Sequence, residues 1–324
     1  MLVDVMIPAY GDGALVRETV TSVLRQEDPG WRLTVVDDGA GRLGDWVRGL
    51  GDERVAYHAN PVRLGINRNF QRCVDLSSAE LVVLLGADDR LLPDFVGRAR
   101  RAARRHPDAA FLHTGARIID GAGRPIMPLV DRVKRAASIR PADTDGTDGT
   151  DGTDAEASLT VGGERLAASL LRGNWMYFPS VVFRRGRLVA HGFRPGYDIV
   201  LDLDLYLRIL RAGGQAVLLG RPGIEYRRHP DSLSSSGAAD GSRFVEERAF
   251  FAEVAAELAA EGWPRAARAA RWHLTCRLHA VRKLIGAFAT GNHRSVPGLL
   301  RNAIALGAVA SGAGPREREG AGAR

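Results

Sequence analysis

The chain has 324 residues, enough for one large α/β domain with an additional segment, and 45% of them are hydrophobic, which excludes disorder throughout. The 45 lysines and arginines outnumber the 38 aspartates and glutamates, giving a net charge of +7. Two cysteines exclude a disulfide framework. Because the first residues lack the pattern of a signal peptide and no apolar run reaches the ~18 residues of a membrane span, we expect a cytoplasmic protein.

Short apolar runs alternate with segments of helical periodicity along the first 119 residues. The runs are typical of buried parallel strands, and the amphipathic segments have apolar residues three and four positions apart. The predicted strands are Leu2–Ile7, Arg32–Val36, Val55–His58, Leu81–Leu85 and Ala109–Ile119. The predicted helices begin near Leu15, Asn67 and Pro93. This order predicts an α/β fold with a doubly wound, mostly parallel sheet flanked by helices, whose ligands bind beyond the carboxyl ends of the strands.

Three later segments differ from this pattern. Asp143–Asp154 repeats Asp-Gly-Thr units and is too polar and glycine-rich to pack, so we expect a mobile loop over 141–157. Phe244–Gly262 and Ala266–Ala289 predict a helical C-terminal region, and Gly312–Arg324 a frayed tail. We expect these helices to pack on the rest of the protein. Peripheral contact with the inner face of the membrane and a homodimer are the alternatives.

Two pairs of aspartates follow predicted strands. Asp37-Asp38 comes after the second strand and Asp88-Asp89 after the fourth. Two such pairs in one cleft would repel each other unless a cation lay between them. Oxygen ligands select a hard ion, and Mg²⁺ or Mn²⁺ holding a diphosphate is the usual use. Each pair alone could form a turn, but their positions after two parallel strands favour a metal site.

Seven short motifs stand out between residues 5 and 236. They are Val5–Tyr10, Ser22–Gln26, Val35–Gly39, Asn60 with Gly65 and Asn69, Leu84–Asp89 followed by Pro93, Asp202–Arg208, and Tyr226–His229 followed by Ser232 and Ser234. Together they resemble family 2 of the glycosyltransferases, which has the GT-A fold. The resemblance implies inverting transfer of a sugar from a UDP, dTDP or GDP sugar to an acceptor hydroxyl, with Mn²⁺ or Mg²⁺.

The resemblance also implies roles for single residues. Asp202 would be the catalytic base, and Asp89, Asp88 and His229 would be the metal ligands, although His229 could equally be a surface histidine. The ring of Tyr10 would pack on the nucleotide base, and Asp37 or Asp38 would accept hydrogen bonds from the base or ribose. The full set implied to bind the nucleotide sugar is Pro8, Ala9, Tyr10, Asp37, Asp38, Asn60, Gly65, Arg68 and Asp88. Arg63 is a further candidate for the diphosphate.

The chain departs from the family pattern at two positions. Gly86 stands where the family often has aspartate, which leaves open whether Asp88 or Asp89 binds the metal. Leu201 replaces an acidic residue that often precedes the catalytic base, Asp202.

Helical geometry separates Asp202 from Asp204. Two positions on a helix differ by ~200°, so the two side chains cannot share one site. Asp204 and Arg208 are four residues apart and predict a surface ion pair in a polar stripe that continues to Arg211. We therefore expect Asp202 to be the base, and it could also cap the helix.

We expect three parts in the chain, of which the resemblance covers the first and the helical pattern and composition indicate the other two. Residues 1–236 would form the GT-A catalytic domain, with 1–105 as the nucleotide-sugar-binding half and 106–236 as the acceptor half. Residues 237–311 would be the helical C-terminal region and 312–324 a disordered tail. The chain lacks the Gln-x-x-Arg-Trp motif of processive polymerases, so we expect a single transfer to a polysaccharide, lipid-linked or secondary-metabolite acceptor.

Two other functions compete with glycosyl transfer. A sugar-1-phosphate nucleotidyltransferase would need a cationic, glycine-rich loop after the first strand, and Ile7–Asp12 contains no cation. A protein that binds nucleotide sugars without turnover is an alternative favoured by Gly86. Nucleic-acid binding is not expected, because no basic patch is interleaved with aromatic residues.

Overall fold

The computed structural model of the protein describes residues 1–11, 13–39, 41, 43–141, 157–229 and 242–272. Several predicted features lie outside these residues. They are the loop at Asp143–Asp154, Ser232 and Ser234, the part of the last predicted helix beyond Trp272, and the tail from Gly312. Among the described residues, no helix combines the length and the apolar character that crossing a bilayer requires.

Within the described ranges, eleven strands form two sheets. The strands are β1 (Val3–Ala9), β2 (Trp31–Asp37), β3 (Val55–Ala59), β4 (Leu81–Leu84), β5 (Arg90–Leu91), β6 (Phe111–His113), β7 (Ala116–Asp120), β8 (Ser158–Gly162), β9 (Val181–Arg184), β10 (Gln215–Leu219) and β11 (Ile224–Arg228). The large sheet has the order β3-β2-β1-β4-β9-β6-β10-β8, and the small sheet has the order β5-β11-β7. In the large sheet β9 and β8 are antiparallel to their neighbours, and the other pairs are parallel.

The strand register brings the predicted polar clusters to one edge of the large sheet. Ala9 at the end of β1 pairs with Asp37 at the end of β2. On the other side of β1, Met6 pairs with Leu84, the last residue of β4. The chain that follows β4 therefore leaves the sheet beside the end of β1. Because these strands are parallel, their carboxyl ends open onto a common edge.

Helices cover both faces of the large sheet. They are α1 (Ala14–Leu24), α2 (Gly44–Arg48), α3 (Ile66–Leu76), α4 (Phe95–Arg105), α5 (Leu129–Ala137), α6 (Gly163–Gly173), α7 (Arg185–His191), α8 (Leu201–Arg211), α9 (Ser242–Ala260) and α10 (Pro264–Trp272). A short 3-10 helix spans Phe178–Ser180. One core packs under α1, α2 and α4, and a second core packs under α3, α6 to α8, α9 and α10. The predicted doubly wound sheet flanked by helices is confirmed.

Alternating side chains on the strands feed these two cores. Val3, Val5 and Ile7 of β1 point into the core under α1, whereas Met6 points into the other. Each such side chain contributes roughly 1.5–3 kcal/mol when it is fully removed from water. In the C-terminal region, Ala266 and Ala270 of α10 are buried, and α10 packs against α6.

The prediction of one strand over Ala109–Ile119 was wrong. The segment forms β6 in the large sheet and β7 in the small sheet. Gly115 between them has a φ of 71°, which extended backbone does not adopt, so the chain turns there. Thr114 donates its backbone N–H to Ser180 O at 3.0 Å and fixes the turn. This switch between sheets brings β11, which pairs with β7, beside the end of β4.

Candidate active site

A cleft of about 260 Å³ opens at the edge of the sheet where β4 ends. Its walls come from the turn after β4, the start of α3, the segment after α6, the first turn of α8, and β11. Asp88, Asp89 and Asp202 all line it, together with Gly86 and Asn174. Asp202, which is more than 100 residues from Asp88 and Asp89 in the chain, therefore shares one cavity with them.

Asp88 and Asp89 have different surroundings in this cleft. Asp88 is partly exposed, and its Oδ2 lies 2.8 Å from Nε2 of His229. Asp89 is buried, and its Oδ1 accepts a hydrogen bond of 2.8 Å from the backbone N–H of Arg227. Burial, and then the charge of Asp88, raise the pKa of Asp89 well above the usual value. Asp88 is thus the carboxylate of the pair that is accessible to a ligand.

Gly86 gives Asp89 the space that its carboxylate occupies. A Cβ atom built at position 86 would lie 2.5 Å from Asp89 Oδ2 and 3.1 Å from Asp88 Oδ1. A side chain at this position would have to move Asp89, whose other oxygen is held by Arg227. The absence of a side chain at Gly86 therefore allows the carboxylate of Asp89 to point into the protein.

The side chain of Arg227 on β11 donates hydrogen bonds to three other segments of the chain. Its Nε donates to the backbone O of Asp88 at 2.8 Å, and its two terminal nitrogens donate to Gly121 O at 2.9 Å and Glu18 Oε2 at 2.6 Å. The residue is 2% exposed. The sequence placed Arg227 in a motif, but its partners lie more than 100 residues away, and no local signal identifies them.

Asp202 lies in the first turn of α8, where its side chain faces the cleft. Its Oδ2 accepts a hydrogen bond of 2.9 Å from Asn174 Nδ2, and its Oδ1 accepts one of 2.7 Å from the N–H of Leu203. Burial raises the pKa of Asp202, while these hydrogen bonds favour the charged form. A carboxylate of this kind is a stronger base than an exposed one and can take a proton from a substrate hydroxyl.

Asp204 faces away from the cleft, as the helical spacing predicted. The prediction that it forms a surface pair with Arg208 was wrong in one respect, because Asp204 is only 3% exposed. Its Oδ2 accepts from Arg208 Nε at 2.8 Å, and its Oδ1 pairs with Arg194 at 3.0 Å. Arg211 extends instead to Glu257 on α9 at 2.6 Å. The stripe is therefore an internal ion network, since Arg194 and α9 cover it.

Asp37 and Asp38 are buried and have partners inside the protein. Asp37 Oδ2 accepts from the hydroxyl of Tyr57 at 2.7 Å. Asp38 accepts three hydrogen bonds, from Asn60 Nδ2 at 3.0 Å and from the backbone N–H groups of Leu64 and Gly65 at 2.7 and 2.9 Å. The Asp38 carboxylate thus holds the loop that leads into α3, whose first residue lines the cleft.

The other residues predicted to bind the nucleotide sugar lie beside the cleft. Tyr10 follows β1, is 61% exposed and stacks against the guanidinium of Arg63 at 4.2 Å from its ring centre. Arg68 is exposed on the first turn of α3. Of the residues predicted to bind the nucleotide sugar, Asp88 lines the cleft. The residues of this set that do not line it are Pro8, Ala9, Tyr10, Asp37, Asp38, Asn60, Gly65 and Arg68.

The residues around Asp88 provide only part of the coordination shell of a metal ion. Among the described residues, no three His, Cys, Asp or Glu side chains are arranged to hold a metal. Asp88 and His229 offer one carboxylate and one imidazole at the cleft, whereas Asp89 is committed to Arg227. Mg²⁺ bound with a nucleotide needs only one or two carboxylates from the protein, because phosphates and waters complete its shell. The donor set therefore suits an ion shared with a diphosphate and does not suit an all-protein site.

Several residues of the cleft were not identified from the sequence. Asn174 fixes Asp202, and Lys134 and Tyr177 form part of the wall. Tyr177 donates its hydroxyl to Asp131 at 2.5 Å, and Asp131 in turn pairs with Arg228 at 2.6 Å. The Gly-Asn pair at 173–174 is a typical helix end, which indicates a turn but gives no indication of a role at a site.

Parts of the chain are similar to known proteins. Residues 4–153 match the family model described as Glycosyl transferase family 2. Uncharacterized protein MT1568 of Mycobacterium tuberculosis (strain CDC 1551 / Oshkosh) is 26% identical over 256 residues, which are 76% of this chain and 73% of that protein. WcaA of Escherichia coli (strain K12), whose name assigns it to glycosyl transfer in colanic acid biosynthesis, is 26% identical over 96 residues, 29% of this chain and 34% of that protein.

A solved structure has the same architecture. S. aureus TarS 1-349 in complex with UDP-GlcNAc superimposes with a TM-score of 0.61 at 13% identity, covering 93% of this chain and 79% of that chain. At this identity the likeness shows the GT-A fold alone. The family match, the fold and the relatives agree with the motifs of the sequence. Residues 4–153 of the chain match family 2 of the glycosyltransferases, and this match, the fold and the relatives together support a glycosyltransferase.

Proposed function

We propose that the protein transfers one sugar from a nucleotide diphosphate sugar to an acceptor hydroxyl, with inversion at the anomeric carbon and assistance from a divalent metal. The observation that carries this proposal is the shared cleft of Asp88, Asp89 and Asp202. It provides Asp202, a partly buried carboxylate, for proton removal, beside Asp88, a partly exposed carboxylate that contacts a histidine. These are the two chemical needs of glycosyl transfer to a hydroxyl, namely a base and a site for the diphosphate.

The donor is proposed to bind along the edge formed by β1 and β4. TarS was solved with UDP-GlcNAc and with UDP, which supports a nucleotide sugar as the donor. Tyr10 offers an exposed ring on which a base can stack, and Arg63 lies against its other side. The diphosphate then lies towards Asp88 and His229. When bound there with the diphosphate, Mg²⁺ or Mn²⁺ would neutralise the charge of the leaving group.

Asp202 is proposed to be the catalytic base. The acceptor hydroxyl donates its proton to an Oδ atom of Asp202 while its oxygen forms a bond to the anomeric carbon. The bond from that carbon to the diphosphate oxygen breaks with its electron pair, and the nucleoside diphosphate leaves. Asn174 and the N–H of Leu203 fix the carboxylate by donating to Oδ2 and Oδ1, and each oxygen keeps a second lone pair that can take the acceptor proton.

A screen of nucleotide sugars by thermal unfolding tests the donor half of this proposal. We expect one UDP, dTDP or GDP sugar to stabilise the protein by about 2.7 kcal/mol at a hundred times its Kd, and more strongly with Mn²⁺ than with EDTA. The Asp88→Ala variant provides the matched control, since it should lose the effect of Mn²⁺. The proposal fails if no nucleotide sugar shifts the transition.

Product analysis tests the transfer itself. We expect nucleoside diphosphate to be released and the new glycosidic bond to have the configuration opposite to that of the donor, which NMR of the anomeric proton reports. Release of pyrophosphate would instead indicate a nucleotidyltransferase. Stabilisation by a nucleotide sugar without any release, even as slow hydrolysis, would indicate a binding protein.

A further inference from the structure

A second cavity of about 240 Å³ lies next to the cleft. It is enclosed by α5 and the segment after it, by β6 and β7, and by the end of β10. Lys134 and Tyr177 line both cavities, so these two side chains form the wall between them. The ring of Tyr177 packs on Tyr226 at 4.7 Å, and Lys134 Nζ lies 5.2 Å from the centre of the Tyr177 ring.

His113 lines this cavity with an unsatisfied nitrogen. The residue is 7% exposed, and its Nε2 is buried and has no hydrogen-bond partner among the described residues. Its ring meets the edge of Trp175 at 5.3 Å, which fixes its orientation. Buried polar groups are normally hydrogen-bonded, and an exception at a cavity needs an explanation. Nε2 itself has almost no accessible surface, so a ligand in the cavity meets other atoms of the His113 wall.

Burial lowers the pKa of His113 to about 3. The imidazole is therefore neutral at pH 7, and one of its nitrogens carries a hydrogen. The charge that a ligand meets must come from other residues.

Positive charge dominates the described lining of the cavity. Four cations contribute to it, whereas Asp131 is the one acid among these lining residues, and its carboxylate already binds Arg228 and Tyr177. The four cations are Lys134, Arg135, Arg140 and Arg221. The side chains of Arg135 and Arg140 are exposed and have no ion-pair partner within the described part of the chain. A site with this balance attracts anions.

We propose that the second cavity binds a phosphate group of the acceptor, with Arg135 and Arg140 as the source of charge and the neutral His113 as part of its wall. This inference rests on the proposed function and specifies its acceptor class as a phosphorylated compound. The acceptor then extends past Tyr177, with its phosphate in the second cavity and its reactive hydroxyl beside Asp202 in the cleft. Guanidinium groups suit this role because their fork matches phosphate oxygens.

Histidine NMR of the full chain tests both sites in one spectrum. The ring signals of His113 and His229 are assigned by comparison with His113→Gln and His229→Gln. Glycerol 3-phosphate serves as the probe for the second cavity, with glycerol at the same concentration as its neutral match. UDP with Mg²⁺ probes the cleft through His229, which contacts Asp88.

We expect glycerol 3-phosphate to shift the His113 signal in a saturable way and glycerol to leave it unchanged. The double substitution Arg135→Gln, Arg140→Gln, which replaces two exposed arginines, should raise the Kd by roughly 10-fold or more. Arg132→Gln is the matched control, because Arg132 is an exposed arginine of the same helix that does not line the cavity. The control should change the Kd less than 2-fold, about the size of a surface charge effect.

Other outcomes would overturn the inference. These are an unchanged His113 signal at saturating glycerol 3-phosphate, an equal shift with glycerol, or an equal loss of affinity in Arg132→Gln. If UDP with Mg²⁺ leaves His229 unchanged, the proposed function fails instead, and the two failures are thus distinguishable.

The phosphate could belong to a lipid or to a soluble acceptor. Vesicles of phosphatidylcholine with phosphatidic acid distinguish these sources, with pure phosphatidylcholine as the control. A lipid source is supported if the anionic vesicles displace glycerol 3-phosphate and the double arginine variant does not sediment with them. A soluble source is supported if the vesicles leave the His113 signal of the glycerol 3-phosphate complex unchanged.

Discussion

The two aspartate pairs contact different partners, although each follows a buried parallel strand. After β2, Asp38 is enclosed and accepts three hydrogen bonds from the loop that precedes α3. After β4, Asp88 is partly exposed and has one histidine beside it in an open cleft. The first carboxylate is used to shape the protein, and the second remains available to a ligand.

The difference arises from what lies above each strand end. The loop over β2 presents two backbone N–H groups and the amide of Asn60 to Asp38. Above β4, the neighbour is β11, which contributes one backbone N–H to Asp89 and leaves Asp88 uncovered. The number of hydrogen-bond donors around a strand-end carboxylate therefore indicates whether the carboxylate stabilises the fold or remains available to a ligand. The following predictions test that assignment, beginning with the cleft.

The largest effect is expected for Asp202→Asn. Loss of the base should lower kcat by about 10²- to 10⁴-fold. The new amide oxygen can accept from the N–H of Leu203, and the side chain of Asn174, whose Oδ1 has no partner among the described residues, can turn to accept from the new NH2 group, so the free energy of unfolding at pH 7 should change little. Steady-state kinetics and thermal unfolding measure the two quantities. A kcat within a few-fold of the wild-type value would contradict the role of Asp202.

Asp38→Ala should mainly affect stability. It removes the acceptor of three hydrogen bonds, of which Asn60 Nδ2 keeps a second acceptor in Asn69, and should lower the free energy of unfolding by roughly 2–4 kcal/mol. Urea unfolding measures this loss. A variant as stable as the wild type would show that Asp38 does not hold the loop, and the contrast between the two pairs would disappear.

Asp88→Ala should give the opposite pattern. Removing one charged contact to the donor, worth about 1.5–3 kcal/mol, should lower kcat/KM by roughly 10- to 150-fold. The free energy of unfolding should change by less than ~1 kcal/mol, because the pair with His229 is partly exposed. Kinetics with and without Mn²⁺, alongside urea unfolding, separate this result from that of Asp38→Ala.

The smallest effect is expected for Asn174→Ala, in the pH profile of kcat. Burial already raises the pKa of Asp202 above 3.8, and the hydrogen bond from Asn174 opposes that rise. Without this bond the pKa rises further. Because the base acts when deprotonated, activity is lost as pH falls through this pKa, so the acidic limb should move to higher pH. A limb that stays in place would show that Asn174 does not position or tune the base.

Local patterns predicted most of the first half of the fold. The strands β1 to β4 and the helices α1, α3 and α4 follow apolar runs and amphipathic segments that carry their own signal. The split of Ala109–Ile119 into β6 and β7 was missed, since both pieces are apolar and only Gly115 marks the turn. The sequence could not show that the two pieces join different sheets, because their partners lie about 100 residues away.

The parts of the site that lie within single sequence motifs could be predicted. Asp88, Asp89 and Asp202 were expected to meet, and they line one cleft. The burial of Asp204 was not predictable, because Arg194 reaches it from another segment. Asn174 was missed for the same reason. Contacts between distant segments decide which carboxylate is accessible, and spacing along one helix does not contain them.

The three-way contact of Arg227 has a mechanical consequence for catalysis. One guanidinium connects the turn after β4, the turn after β7 and the first helix, and it does so in three directions that a lysine could not serve together. These three contacts join the floor of the cleft into a single body. If the donor binds there as we propose, the energy of its binding is not needed to assemble the floor.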